Sequence, residues 1–171
     1  MPAAGEGAQH AEGVGFIVGL AQGFVVHGDE GVGGQHHASG MEGGGSQGLA
    51  ADTLVSVDDA ALGKPHDAED AFRMLKSLSG RWHQVYTGVT VIAADGAVLS
   101  ETDGTDVHFE AMSDEAIRRY IATGEPMDKA GAYAVQGIAG LWIDELKGSH
   151  TNVIGLPMAL TRRLLEQAGL L

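Results

Sequence analysis

The chain changes character near residue 48, and that break decides how much of it can fold around a core. Residues 1–50 hold 15 of the 27 glycines and four of the eight histidines (His10, His27, His36, His37), and no Lys or Arg precedes Lys64. Glycine loses more conformational freedom on ordering than any other residue, so a run such as Gly43-Gly44-Gly45 suits neither helix nor strand. No apolar period is sustained in this stretch; only Val14–Val18 and Phe24–Val26 read as short strands. Residues 1–47 are therefore expected to be an atypical Gly/His-rich segment, either disordered or foreign to the rest of the fold, as a frame error or a wrong start would produce. Its histidines have no scaffold to hold them as zinc ligands, and Gly31, Gly33 and Gly34 precede no helix pattern, so they do not form a dinucleotide loop.

From Leu49 onward the local signals agree. Thr53–Val57 is apolar and β-branched, which predicts a strand. Asp67 caps a helix running to about Ser79, with Asp70 placed as in a capping box, and Ala71, Phe72, Leu75 and Leu78 form its apolar stripe up to Gly80. Val85–Ala93 reads as a strand, and Asp95-Gly96 as a hairpin turn into Val98-Leu99. Ser113 caps a second helix, 114–123, which Gly124 and Pro126 end. Leu141–Leu146 reads as a strand, Lys147-Gly148 as a turn, and Pro157 sits in the first turn of a last helix that stops near Gly169. Strands interleaved with helices predict one α/β domain over 48–171 with a mixed sheet.

Charge and composition narrow the function classes. The net charge of −13, from 10 basic and 23 acidic residues, argues against binding a nucleic-acid backbone, which needs clustered Lys and Arg. It leaves room for a small phosphorylated substrate carried with a divalent cation. With zero cysteines there is no disulfide framework, thiolate metal site or Cys nucleophile. No apolar run reaches the length of a bilayer span, and no basic start precedes the apolar stretch Phe16–Val26, so neither a membrane helix nor a secretory signal is expected. A cytoplasmic protein is the default expectation.

Several segments recur in a telling order: Ala51-Asp52-Thr53; Leu62-Gly63-Lys64-Pro65 with Asp67; Leu78-Ser79-Gly80-Arg81 with Thr87-Gly88-Val89; and the run from Gly124 through Asp128, Lys129, Tyr133, Gln136 and Gly137. Ser149–Pro157, with Asn152 and Gly155, continues the series. Together, over 47–171, they resemble the Maf family of nucleoside triphosphate pyrophosphatases. The resemblance implies a Maf/ITPase-like α/β fold: a mixed, twisted sheet flanked by helices, with a cleft. The family's N-terminal signature, Ser-x-Ser-Pro-Arg-Arg opening a helix, with a lysine on the helix before the Ala-Asp-Thr strand, has no counterpart in residues 1–46.

What the resemblance implies chemically is hydrolysis of a nucleoside triphosphate between the α- and β-phosphates, with Mg or Mn as the expected cofactor and protein metal ligands unassigned. Asp52 matches the family's catalytic aspartate; read by position alone it is an ordinary turn residue. Lys64, whose backbone Pro65 restricts, matches a phosphate-holding lysine, although a lone loop lysine is more often merely solvated. Thr53 and Gln136 fall where the family's branches separate, and both look like the dTTP/UTP branch; the plain alternatives are β-propensity and a loop amide bonded to backbone. Asp128 and Lys129 either line the cleft or tie down their loop as an ion pair. Glu101 and Asp103 read as a solvated turn within reach of a metal, Arg81, Arg118 and Arg119 as surface charges, and Trp82, Trp142 and Tyr133 as core anchors. Two alternatives stand beside a dTTP/UTP pyrophosphatase: a Maf-like remnant that binds nucleotide with impaired catalysis, and a pyrophosphatase for a modified purine triphosphate, against which Gln136 argues. The partner expected is the nucleotide substrate, with no nucleic acid or membrane, and a homodimer is left open.

Overall fold

The computed structural model describes residues 47–171. The strands expected at Val14–Val18 and Phe24–Val26, the histidine group and the character of the N-terminal segment lie outside the described residues.

Five strands form one sheet in the order β2-β1-β3-β4-β5. They are β1 (Gly48–Val57), β2 (Ala60–Leu62), β3 (Trp82–Ile92), β4 (Val98–Phe109) and β5 (Ile143–Lys147). A mixed sheet was the expectation; among the described residues every strand pairing is antiparallel. The α/β class and the helix-flanked sheet are as expected. Two tight hairpins dictate the antiparallel sense. Asp95-Gly96 closes β3 on β4, with Gly96 at φ 85 and the Asp95 carboxylate accepting the N–H of Ala97. Asp58 and Asp59, at φ 51 and 61, close β1 on β2. Both central residues of that turn are left-handed, a conformation Asp tolerates better than most residues; the sequence reading did not foresee β2.

The helices are α1 (Ala68–Leu78), α2 (Asp114–Ala122), α3 (His150–Ile154) and α4 (Met158–Gln167). Asp67 caps α1 by accepting the N–H of Asp70. Asp70 does not complete a reciprocal box: its carboxylate accepts the N–H of His66, one residue further back, and pairs with Arg73. Ser113 and Ser149 cap α2 and α3. Three 3-10 turns, Glu125–Asp128, Ala130–Ala132 and Ile138–Trp142, carry the chain from α2 to β5. No helix among the described residues is long and apolar enough to cross a membrane.

Alternation along the strands puts one residue parity against the helices. Val55, Val85, Val107 and Phe109 pack under Leu75, Leu78, Ile117 and Tyr120 of α1 and α2. Val89 and Val91 pack under Leu160 and Leu164 of α4. Ser100 to Asp106, polar enough to resemble a loop, is the middle of β4, so Glu101 and Asp103 stand on a strand rather than in a turn. Their backbone polar groups are satisfied by β3, which pairs in register with β4 from Val98 to His108. Trp82 also departs from expectation. It lies outside the core, with the Lys147 ammonium 3.9 Å above its ring and the His108 ring 5.1 Å away.

Candidate active site

β2 pairs with Val55–Val57 alone. Further back along β1, from Gly48 to Leu54, β3 is the single partner strand among the described residues. At this edge opens a cavity of about 390 Å³, lined by Asp52, Thr53, Lys64, Asp128, Lys129 and Gln136 together with apolar neighbours. Its volume lies within the range of small-molecule sites, about 300–1,000 Å³. All four residues singled out by sequence, Asp52, Thr53, Lys64 and Gln136, are thus brought to one concave surface, although they span positions 52 to 136.

Asp52 and Thr53 reach the cavity by different routes. The pleat sends them to opposite faces of the sheet. Thr53 shares the helix-covered face with Val55, whereas Asp52 turns to the open edge, where Oδ1 accepts the Thr53 backbone N–H at 3.0 Å. That bond engages one carboxylate oxygen and fixes the group beside the cavity.

The Lys64 turn is held by a close backbone approach. Gly131 donates its N–H to the Gly63 carbonyl at 3.0 Å, and Pro65 is buried. Gly131 stands at φ 67, and a Cβ there would lie 2.9 Å from Cγ1 of Val55, so no side chain fits. Next to it, Lys129 donates to Asp128 at 2.8 Å. Both readings of this pair hold, because it ties the loop together and lines the cavity. The hydrogen bond from Lys129 is the main reason the Asp128 carboxyl sits below its ordinary range.

Gln136 is placed by a residue outside the sequence-based set. The Glu125 carboxylate accepts the N–H of Ile138 through Oε1 at 2.9 Å and the Tyr120 hydroxyl at 2.9 Å. A Cβ on Gly137 would collide with that carboxylate at 2.1 Å. Tyr133 closes the cavity from the core side and is a core anchor as expected, 5% exposed. Its ring meets Phe109 edge-on with centroids 4.8 Å apart, and its hydroxyl is 2.7 Å from Nε2 of His83. Burial, aided by the charge of His108, lowers the His83 pKa to about 4, so this imidazole is neutral at physiological pH.

Behind Thr53 runs a buried polar chain. Thr53 Oγ1 lies 2.9 Å from Thr87 Oγ1, and Thr87 Oγ1 donates to the Asn152 carbonyl at 3.0 Å. Asn152 is fully buried; its amide donates to the Val85 carbonyl at 2.9 Å and to Thr105 Oγ1 at 3.0 Å. In the sequence Thr87 and Asn152 fall within the matching segments without any role attached. A Thr at strand spacing and an Asn after a capping serine carry no local signal of such a chain.

Among the described residues no three His, Asp or Glu side chains gather into a metal-binding group. The cavity offers two carboxylates, Asp52 and Asp128. That donor set fits a magnesium-type ion, which commonly takes one or two protein carboxylates and completes its shell with substrate phosphates and water.

The sequence profile of Maf-like proteins matches residues 36–168. Among curated relatives, the dTTP/UTP pyrophosphatase of Clostridium botulinum is 49% identical over 121 residues, covering 70% of this chain and 64% of the relative. That of Chromobacterium violaceum is 53% identical over 121 residues, covering 71% and 61%. That of Thermococcus gammatolerans is 49% identical over 118 residues, covering 69% and 63%. The chain thus spans less than two thirds of the length of the curated relatives it matches.

Proposed function

This chain belongs to the Maf-like protein family, and on that premise we propose that it hydrolyses dTTP and UTP to the monophosphate and pyrophosphate. The convergence of Asp52, Lys64, Thr53 and Gln136 on one cavity carries the reading. Asp52, with one oxygen engaged by the strand edge, accepts the proton of the water that attacks the α-phosphorus. The bond between that phosphorus and the bridging oxygen breaks, and pyrophosphate leaves. Lys64, on a turn clamped by Gly131, is the point charge for the phosphates. Gln136 offers both a donor and an acceptor to a pyrimidine edge, and Thr53 faces the same space from the sheet. A magnesium or manganese ion, held by the triphosphate with Asp52 and Asp128, would supply further neutralising charge. The cytoplasm, where nucleoside triphosphates are made and used, is the proposed compartment.

A second reading has its own observation. The cationic side chains lining the cavity, among the described residues, are Lys64 and Lys129, and Lys129 is engaged by Asp128. No Lys or Arg precedes Lys64 in the sequence. Sparse positive charge over the phosphates favours slow turnover or simple nucleotide binding. The deciding measurement is pyrophosphate release from dTTP, UTP and a modified purine triphosphate with magnesium or manganese. Release from the two pyrimidine nucleotides is expected. Binding without release would support the remnant, and preference for the purine would overturn the substrate assignment.

A further inference from the structure

We infer that Thr87 is a specificity-determining positioning residue: through a one-way hydrogen-bond chain it makes the Thr53 hydroxyl an acceptor only, so the cavity takes a base that presents an N–H at that point. The inference rests on the pyrophosphatase reading for the place of the base, and on the chain's own geometry for the polarity.

The direction of the chain follows from where protons can be. The Asn152 carbonyl has no proton to give. It accepts from the Gly155 N–H at 2.9 Å and lies 3.0 Å from Thr87 Oγ1. Two oxygens at that distance need a proton between them, and Thr87 alone can provide it. Having a single hydroxyl proton, Thr87 then meets Thr53 Oγ1, 2.9 Å away, with lone pairs. The proton of that second contact must therefore come from Thr53. What remains on Thr53 Oγ1 is acceptor capacity.

The surroundings lock this arrangement. Thr53 and Thr87 are directly opposite each other in the β1–β3 register, and Thr87 is fully buried, so water cannot offer its hydroxyl another partner. Asn152 is pinned at both ends, its backbone N–H by Ser149 Oγ and its side chain by Val85 and Thr105. Gly155, which lines the cavity, has φ 115, and a Cβ on it would stand 3.3 Å from Thr53 Oγ1. Its lack of a side chain keeps the approach to that oxygen open.

An imide N–H, as in uracil or thymine, meets an acceptor with a donor. The ring N3 of cytosine brings a second acceptor to the same spot, leaving two lone pairs opposed. A buried polar group without its partner costs about 1–3 kcal/mol, so UTP should exceed CTP in kcat/KM by roughly 5- to 150-fold.

The test compares UTP with CTP for the unaltered chain, Thr87→Ser and Thr87→Val, alongside equilibrium binding of UMP and CMP to each. Thr87→Ser keeps the hydroxyl and is expected to keep the ratio. Thr87→Val removes the acceptor, frees the Thr53 proton to turn toward the ligand, and is expected to bring the ratio close to one. A UTP preference unchanged in Thr87→Val overturns the inference and leaves the pyrophosphatase reading intact. Absence of pyrophosphate release, with UMP bound more tightly than CMP and the difference lost in Thr87→Val, overturns the hydrolytic reading and sustains the inference. Should Thr87→Val not fold, the unaltered chain still decides, since equal handling of the uracil and cytosine nucleotides overturns the acceptor-only assignment.

Discussion

The carboxylate of Asp52 accepts the backbone N–H of the very next residue, Thr53, at 3.0 Å, so two neighbours that the pleat sends to opposite faces are joined at one strand edge. An Asn at position 52 can make the same bond through its amide oxygen. Asp52→Asn should therefore melt within a degree or two of the unaltered chain, because ordinary surface changes cost at most about 0.5 kcal/mol. Loss of a general base costs about 100- to 10,000-fold in turnover. Pyrophosphate release by Asp52→Asn at no less than a tenth of the original rate would remove Asp52 as the base.

Gly131→Ala should be among the most damaging single-methyl additions. It forces φ 67 on a residue with a Cβ and drives that atom to 2.9 Å from Val55 Cγ1. The left-handed backbone costs about 1–2 kcal/mol and overpacking about 1–3 kcal/mol. Urea unfolding should register a loss of several kcal/mol. The Gly63 contact would shift with it, so KM for UTP should rise as well, through Lys64.

His83 makes stability depend on pH in a defined window. Its folded pKa of about 4 lies below the ordinary value of 6.5, so between these values the unfolded chain binds a proton that the folded chain refuses. Stability contributed by this group is complete above pH 6.5, falls as the pH drops, and levels off below about 4. The difference amounts to roughly 3 kcal/mol for a group this buried. Denaturant midpoints measured from pH 7.5 to 4 should show the slope, and His83→Phe should flatten it whatever its effect at neutral pH.

Glu125→Gln should loosen the loop that carries Gln136. The substitution keeps an amide oxygen that can accept from both Tyr120 and Ile138 but loses the charge that strengthens those bonds, each worth about 1.5–3 kcal/mol when charge-assisted. The expected result is a several-fold rise in KM for dTTP with kcat changed much less. Equal losses in kcat and kcat/KM would place Glu125 in the reaction itself.

Three of the helices and the Asp95-Gly96 hairpin were legible because their signals are local. Asp67 and Ser113 cap the helices they were expected to cap, and Asp95-Gly96 turns where a short left-handed residue makes turning cheap. β2 escaped notice because three residues carry no period, and the middle of β4 because a polar run resembles a loop unless its partner strand is known. The site residues were found through the resemblance of whole segments; position alone made Asp52 a turn residue and Lys64 a solvated lysine.

What the sequence by itself determined is therefore most of the elements and the chemical kinds available to the site: a carboxylate, a lysine, a hydroxyl and an amide. Only the tertiary structure decided how they act together. Asp52 comes to the cavity because β2 stops short and leaves the strand edge open. Lys64 is fixed by Gly131, 67 residues away, whose backbone lies so close to the Val55 side chain that a Cβ would not fit. The Thr53 hydroxyl acquires its polarity from a carbonyl on α3. Backbone propensity is read within a few residues, whereas a shared proton, an exposed edge or a close approach exists only once distant segments are packed together.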